Sequence, residues 1–546
     1  MPSKVIQDYE EIGAKKRADR DSNLIKEWLI PESKLPKSKD VLKFPEESGY
    51  LSEKEIEVTT SSAPKIVNYI AEHKWTSYEV TSAFCHRSQI AQQLCNCLSE
   101  IFYKEALSRA RELDTYYEQT GKLKGPLHGL PISLKDNINV KNHASTIGMV
   151  DFCFNPKGGM KQNSAIAAML LDMGAVFYCK TNVPVAMMMP ETTNHVYGTT
   201  TNPCNRLLSP GGSSGGAACQ AALRGSCIEI GSDIGGSIRI PSSFTNIYGL
   251  RPTYGRYPTY GTRSGLPGLE SVHSVNGPLC ASLESLEFYM KTLANGDPSQ
   301  YDPGVAYRPW QQIVLPSVCS FAVLMDDGHI KPTPPITRGL KMVTEALIKH
   351  GHKILDWNPA EHDKLQQLIS DFFVADGGKH VLKVTEATGE PLYPYMSNYG
   401  TSSEISAGKL WDLQSKRSAV CKAFLDRWMS TAKTTGTGHP IDAIIAPVTP
   451  MAGSPLDKFG DYVGYTSVFN ALDYSVGIIP VSRANKRLDP VDKSFKPRNA
   501  SEKFIWDNYD PEETEGGSIS VQIACRRGEE EKVVALMKMI SGYLGK

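Results

Sequence analysis

Nowhere does the chain carry a run of 18 or more apolar residues, so no segment is long and apolar enough to cross a bilayer as a helix. The most apolar stretch, AIAAMLLDMGAVFYCK, is interrupted by Asp172 and Gly174 and predicts a helix, a turn and a strand. The opening residues MPSKVIQDYEEIGAKKRADR lack the apolar core of a signal peptide, which makes the cytoplasm the expected location. A surplus of charge is missing too, since 59 Lys and Arg balance 59 Asp and Glu. Without a basic excess there is no electrostatic footprint for nucleic acid or an anionic membrane, and a small neutral molecule is the expected partner. The 12 cysteines include no C-x-x-C pair, the closest two being Cys95 and Cys97, so neither a zinc site nor a redox dithiol is expected. Neither GxxxxGK(S/T) nor GxGxxG occurs, which removes the common phosphate-cradling loops.

What is present is enough apolar material for a full core: 546 residues, 40% of them hydrophobic. Residues 1–60, charged and punctuated by proline, predict a partly helical N-terminal arm lying on the body. From Ala63 onward apolar residues recur at helical spacing, as in Ile66 and Ile70, Val80 and Phe84, or Ala106, Ala110 and Leu113. Beyond them short apolar runs such as LPISLKD, AVFYCKT, CIEIGSD, FAVLMDD and HKILDW alternate with helical segments. That alternation predicts an α/β fold with a central mixed, largely parallel twisted sheet covered by helices on both faces. One large domain is expected over 61–546, with a helical cap region at 61–120 and a motif-bearing core at 125–260. The polar, Pro-, Asp- and Lys-rich segment 483–516 reads as a surface insertion. Exposed helices leave a homodimer open, but periodicity alone defines no interface.

Two glycine-rich turns stand out, GGSSGG around Ser213 and GSDIGGS ending at Ser237. In the second, a strand ends and two residues without side chains precede Ser237, so backbone N–H groups can approach a ligand closely. Such a nest suits an oxyanion, and a serine beside it suits a nucleophile. Taken alone, the same residues equally describe a tight turn. A serine nucleophile needs a base, yet no GxSxG elbow surrounds Ser237, and none of His128, His195 and His273 has a distinguishing context. A lysine whose charge is suppressed by burial can serve. Lys135 closes the apolar run LPISLK, where ligands sit in open parallel sheets, although a solvated strand-end lysine fits that position as well.

The strings HGLPISLKDNINV, SPGGSSGGAACQAALRG and GSDIGGSIRIPSSFTNIYGLRPTYGR, in this order, closely resemble the amidase signature family. The connecting KTNVPVAMMMPETTNHVYGTTTNP is similar to its fungal acetamidase and fatty-acid-amide-hydrolase branch. This resemblance implies an amide hydrolase with a Ser–Ser–Lys triad: Ser237 as nucleophile, Ser213 as bridging serine after a cis bond from Gly212, and Lys135 as base. It implies an oxyanion hole from the N–H groups of Ile234, Gly235, Gly236 and Ser237, supporting roles for Asp233 and Arg239, and no cofactor or metal. Met187 and Met188 lie where that branch lines its acyl pocket; a flexible thioether wall suits an apolar acyl group, and a methionine run suits ordinary core too. Ser232 stands where the family usually has threonine. An amidotransferase-type subunit feeding ammonia to a partner, or a silent binding protein of the same fold, are the alternatives, and the intact Lys135, Ser213 and Ser237 weigh against the second.

Overall fold

Phe321 and Val323 of one strand enter one apolar cluster while Ala322 between them enters another, and Ile445 and Ile444 divide in the same way. Alternation with a period of two means that a single sheet is buried on both faces. The computed structural model describes residues 8–154, 161–400 and 404–546; the first seven residues of the N-terminal arm lie outside the described residues. Its strands are β1 (Leu98–Ile101), β2 (Pro131–Lys135), β3 (Val176–Thr181), β4 (Glu229–Asp233), β5 (Tyr248–Arg251), β6 (Val275–Cys280), β7 (Ser320–Val323), β8 (Lys353–Asp356), β9 (Ala443–Pro447), β10 (Ser475–Arg483) and β11 (Ser518–Cys525). Among the described residues they form one 11-stranded sheet in the order β1-β3-β2-β4-β6-β5-β10-β11-β9-β7-β8. The helices Pro334–Lys349 and Glu530–Tyr543 pack into the cluster on one face, and His362–Phe373, Ala407–Ser430 and Gly464–Leu472 into that on the other.

The sheet is the central mixed sheet expected, but its parallel share is smaller than the strand–helix alternation suggests. Parallel pairs join β2 to β3 and β4, and β7 to β8 and β9; the six remaining pairs are antiparallel. Five of those six involve β1, β5, β6 or β10, strands whose sequences do not follow the alternation. The arm carries the helix Tyr9–Asp21, whose Arg20 donates to the Leu98 carbonyl of edge strand β1 at 2.9 Å. Within 483–516 the helix Ala500–Asp507 buries Ile505 and Trp506, so this stretch contributes to the core as well as to the surface. No described helix is long and apolar enough to cross a membrane.

β2 and β4 are parallel neighbours in register through Ser133 opposite Glu229 and Leu134 opposite Ile230. Their C-terminal residues, Lys135 and Asp233, therefore emerge at the same edge of the sheet, the edge at which open parallel sheets bind ligands. Behind it the helix Gly215–Ala222 packs tightly: a Cβ on Gly216 would stand 2.4 Å from both Asn182 N and Cys97 O. Both are backbone atoms that cannot turn aside. Gly216→Ala is expected to lower stability by about 1–3 kcal/mol, read as a lower urea midpoint; an unchanged midpoint would show that the helix can shift outward freely.

Candidate active site

Lys135 is wholly buried, and its Nζ lies 2.7 Å from Ser213 Oγ, 3.0 Å from Ser232 Oγ and 3.3 Å from the Ser232 carbonyl. Burial pulls its amine down to about 7, against the pull of Asp233 and Asp136 in the other direction. A substantial share of the amine is thus neutral at neutral pH, and a neutral amine has a lone pair with which to take a proton. The adjacent Asp136 turns away, accepting from Ser99 Oγ at 2.7 Å and from Ile147 N at 2.6 Å. Ser232 retains the hydroxyl that threonine would supply, and this hydroxyl also accepts from Asn137 Nδ2 at 3.3 Å.

Ser213 follows a cis peptide bond from Gly212. A side chain at Gly212 would strike the Glu191 and Met189 backbones, its Cβ falling 2.8 Å from Glu191 N and Met189 O. The two glycine turns are joined directly, with Ser214 N donating to the Ser237 carbonyl at 3.1 Å. Ser213 and Ser237 line the same cavity.

Asp233 organises the turn that carries Ser237. Its carboxylate accepts from Gly236 N and Ile238 N, each at 3.0 Å, from Asn470 Nδ2 at 2.8 Å, and from Arg239 Nε and Nη2 at 3.1 and 3.0 Å. Burial alone would push this carboxyl up, but the Arg239 guanidinium holds it well below the usual carboxylate range. Arg239, itself fully buried, reaches on to the Thr466 carbonyl at 2.8 Å and Asn470 Oδ1 at 2.5 Å. Gly236 has φ +138°, and a Cβ there would meet Thr466 Oγ1 at 2.4 Å, so glycine is required on both counts. Of the four N–H groups that the resemblance implies for an oxyanion, that of Gly236 donates to the Asp233 carboxylate at 3.0 Å.

Two cavities meet at Ser237. One, of about 160 Å³, is walled by Met187, Met188, Ile240, Ile369, Phe373 and Val374 together with the turn Ile234–Ser237. The other, of about 220 Å³, is polar and holds Ser213, Ser232, Asn137, Thr262, Arg263 and Asn276. Met187 and Met188 border both. Sequence reasoning missed Phe373, Tyr395, Tyr399 and Val463 as walls of the first cavity. Their only sequence signal is apolar character in segments far along the chain from the motifs. Among the described residues no group of three or more His, Cys, Asp or Glu stands close enough to hold a metal ion.

Comparison with known proteins identifies the family. The Amidase family model matches residues 79–534. An acetamidase of Emericella nidulans is 39% identical over 99% of this chain and 99% of its own length. An acetamidase of Aspergillus oryzae is 37% identical over the full length of both. Among solved structures, a fatty acid amide hydrolase superposes with a TM-score of 0.93 at 30% identity, over 100% of this chain and 98% of its own. With its motifs at one sheet edge and this likeness along its whole length, the chain belongs to the Amidase family and is a hydrolase acting on carbon–nitrogen amide bonds.

Proposed function

We propose that this chain cleaves carboxamides with a compact apolar acyl group, through an acyl-enzyme on Ser237 formed with the help of Ser213 and neutral Lys135. The observation that carries the reading is the 2.7 Å contact between a wholly buried lysine and Ser213, in a cavity shared with Ser237. As Ser237 Oγ attacks the carbonyl carbon, its proton passes to Ser213 and the Ser213 proton passes to Lys135. The carbonyl oxygen becomes an oxyanion received by the N–H groups of Ile234, Gly235 and Ser237. When the C–N bond breaks, Lys135 returns its proton through Ser213 to the departing nitrogen. Water then attacks the ester by the same relay, releasing a carboxylic acid and restoring Ser237. No step calls for a metal or an organic cofactor.

The two cavities divide the substrate between them. Ser213 hands the proton to the leaving nitrogen and borders the polar cavity, so ammonia or an amine departs on that side. The acyl group then lies in the apolar cavity, whose volume of about 160 Å³ fits a short or aryl acyl chain better than a long one. The test is ammonia release from acetamide, benzamide, indole-acetamide, a medium-chain and a long-chain fatty amide, with fluorophosphonate labelling followed by peptide mass spectrometry. Labelling at Ser237 and hydrolysis of a short or aryl amide at least about tenfold faster than the long-chain amide is the expected result. Labelling at another residue, or none, would overturn the nucleophile assignment and favour a silent binding protein. A preference for the long-chain amide would overturn the acyl assignment alone.

A further inference from the structure

Three segments far apart in the chain wall the apolar cavity: Met187–Pro190, the stretch from Tyr395 to Tyr399, and Asp461 with Val463. One chain of hydrogen bonds ties them together. The Phe459 backbone N–H donates to the Tyr395 hydroxyl at 3.2 Å, and that hydroxyl donates to Oε2 of Glu191. Glu191 is only 3% exposed, and burial pushes its carboxyl up to about 7. Its backbone is fixed as firmly as its side chain, because it packs against Gly212 so closely that a Cβ there would fall 2.8 Å from its N and 2.9 Å from its O. The turn that carries Ser213 and the wall that carries Tyr395 are therefore braced against the same residue.

Tyr395 sits in the short helical turn Pro394–Met396, an element with too few backbone bonds of its own to hold a bulky ring in place. Its hydroxyl is engaged on both sides instead, once as acceptor and once as donor. Swinging the ring away would strip a buried carboxyl of its hydroxyl partner, which disfavours an open position. With that hydroxyl taken up, Tyr395 presents the apolar cavity with no unpaired polar group.

We infer that Tyr395, clamped by Glu191, is the specificity-determining residue that ends the acyl cavity and limits the length of the acyl group. The inference rests on the assignment of Ser237 as nucleophile. Tyr395 acts by touching the substrate; Glu191 acts as a positioning residue through it. The two positions differ in what they demand of a replacement. At 191 any neutral or charged acceptor for the phenol serves, whereas at 395 the ring itself is needed.

The experiment compares the rates at which ethyl and octyl fluorophosphonate label Ser237, read by intact-protein mass on the full chain without requiring turnover. Wild type is expected to favour the ethyl probe. Tyr395→Ala is expected to raise the octyl-to-ethyl ratio by at least about tenfold, and Glu191→Leu by about threefold in the same direction. Glu191→Gln, which still accepts from the phenol, is expected to stay within about twofold of wild type. Should Tyr395→Ala fail to fold, Tyr395→Phe keeps the ring, releases it from the clamp, and is expected to move the ratio by about threefold. A ratio unmoved by Tyr395→Ala, or by Tyr395→Phe in its place, with both probes slowed equally, overturns the inference and leaves the pair a purely structural contact. A wild type that neither probe labels overturns the nucleophile assignment, and this inference with it.

Discussion

Lys135→Met is expected to lower kcat/KM for any hydrolysed amide by about 10³-fold, the scale of a lost general base, and to leave a chain at least as stable as wild type at pH 7. Ser237→Ala removes the attacking oxygen and is expected to cost more, on the order of 10⁶-fold. The pH profile separates the two residues. The reaction uses the neutral amine of Lys135, and burial holds that amine at about 7. Wild-type kcat/KM should therefore climb with pH through about 7 and level off above it, and the residual activity of Lys135→Met should lack that rise. Stability runs on the same linkage. The amine titrates lower in the folded chain than its ordinary value of 10.5, so between about 7 and 10.5 the unfolded chain holds more protons and wild-type stability rises with pH. Below about 7 the folded chain bears the whole cost of burying an ammonium, about 1.4 kcal/mol for each tenfold loss of proton affinity. Methionine carries no such cost, so Lys135→Met should gain most over wild type at low pH. Urea midpoints at pH 6 and pH 9 measure this. Full activity in Lys135→Met, or a wild-type profile flat between pH 5 and pH 9, would remove Lys135 from the mechanism.

The residues nearest this chemistry were legible because the sequence must mark them. Lys135 ends an apolar run, and Ser213 and Ser237 are flanked by glycines where backbone crowding and close approach leave room for nothing larger. The parallel strands β2, β3, β4, β7, β8 and β9 were legible for a different reason: helical segments separate most of them and switch the period of apolar residues. Two of the strands that escaped have turn-like or polar composition. β6 reads VNGPLC, yet Gly277 sits in mid-strand because a Cβ there would meet the Leu250 carbonyl at 2.3 Å. β1 carries Ser99 and Glu100, which can be buried only because Asp136 and Lys16 answer them at 2.7 Å each. The acyl wall was illegible for a third reason. Phe373, Tyr395 and Val463 look like ordinary core residues, and only the tertiary fold brings them to the glycine turns. The bond from the Gly236 N–H to Asp233 was illegible because the direction of a backbone N–H depends on where the Asp233 carboxylate sits, which spacing along the chain does not encode.

Arg239→Leu is expected to destabilise the fold by about 3–5 kcal/mol, the penalty for leaving one member of a buried ion pair without its partner. Both side chains are wholly inaccessible, and Arg239 Nη2 lies 3.0 Å from Asp233 Oδ1. Leucine would fill part of the volume but leave a carboxylate with three backbone N–H groups, those of Gly236, Ile238 and residue 239, and Asn470 as its remaining donors. It would also free the Thr466 carbonyl and Asn470 Oδ1, the acceptors through which Arg239 fastens the Ser237 turn to the helix Gly464–Leu472. Arg239→Lys keeps the charge but cannot form a two-nitrogen fork, so it should recover only part of the loss. The sign with pH follows from Asp233: its carboxyl is held below the ordinary range, so the pair stabilises the chain above that range and loses its effect only in strong acid. The loss in Arg239→Leu should accordingly be full at pH 7 and shrink as the medium becomes strongly acidic. Urea unfolding at pH 7 measures the first quantity. Fluorophosphonate labelling of Ser237 well below the unfolding midpoint measures a second, because a turn released from the helix Gly464–Leu472 misplaces the serine even in chains that remain folded. An unchanged midpoint with unchanged labelling would mean that neither the fold nor the turn depends on this pair, and that the glycine turn holds its shape through Thr466 Oγ1, which donates to the Gly235 carbonyl at 2.7 Å.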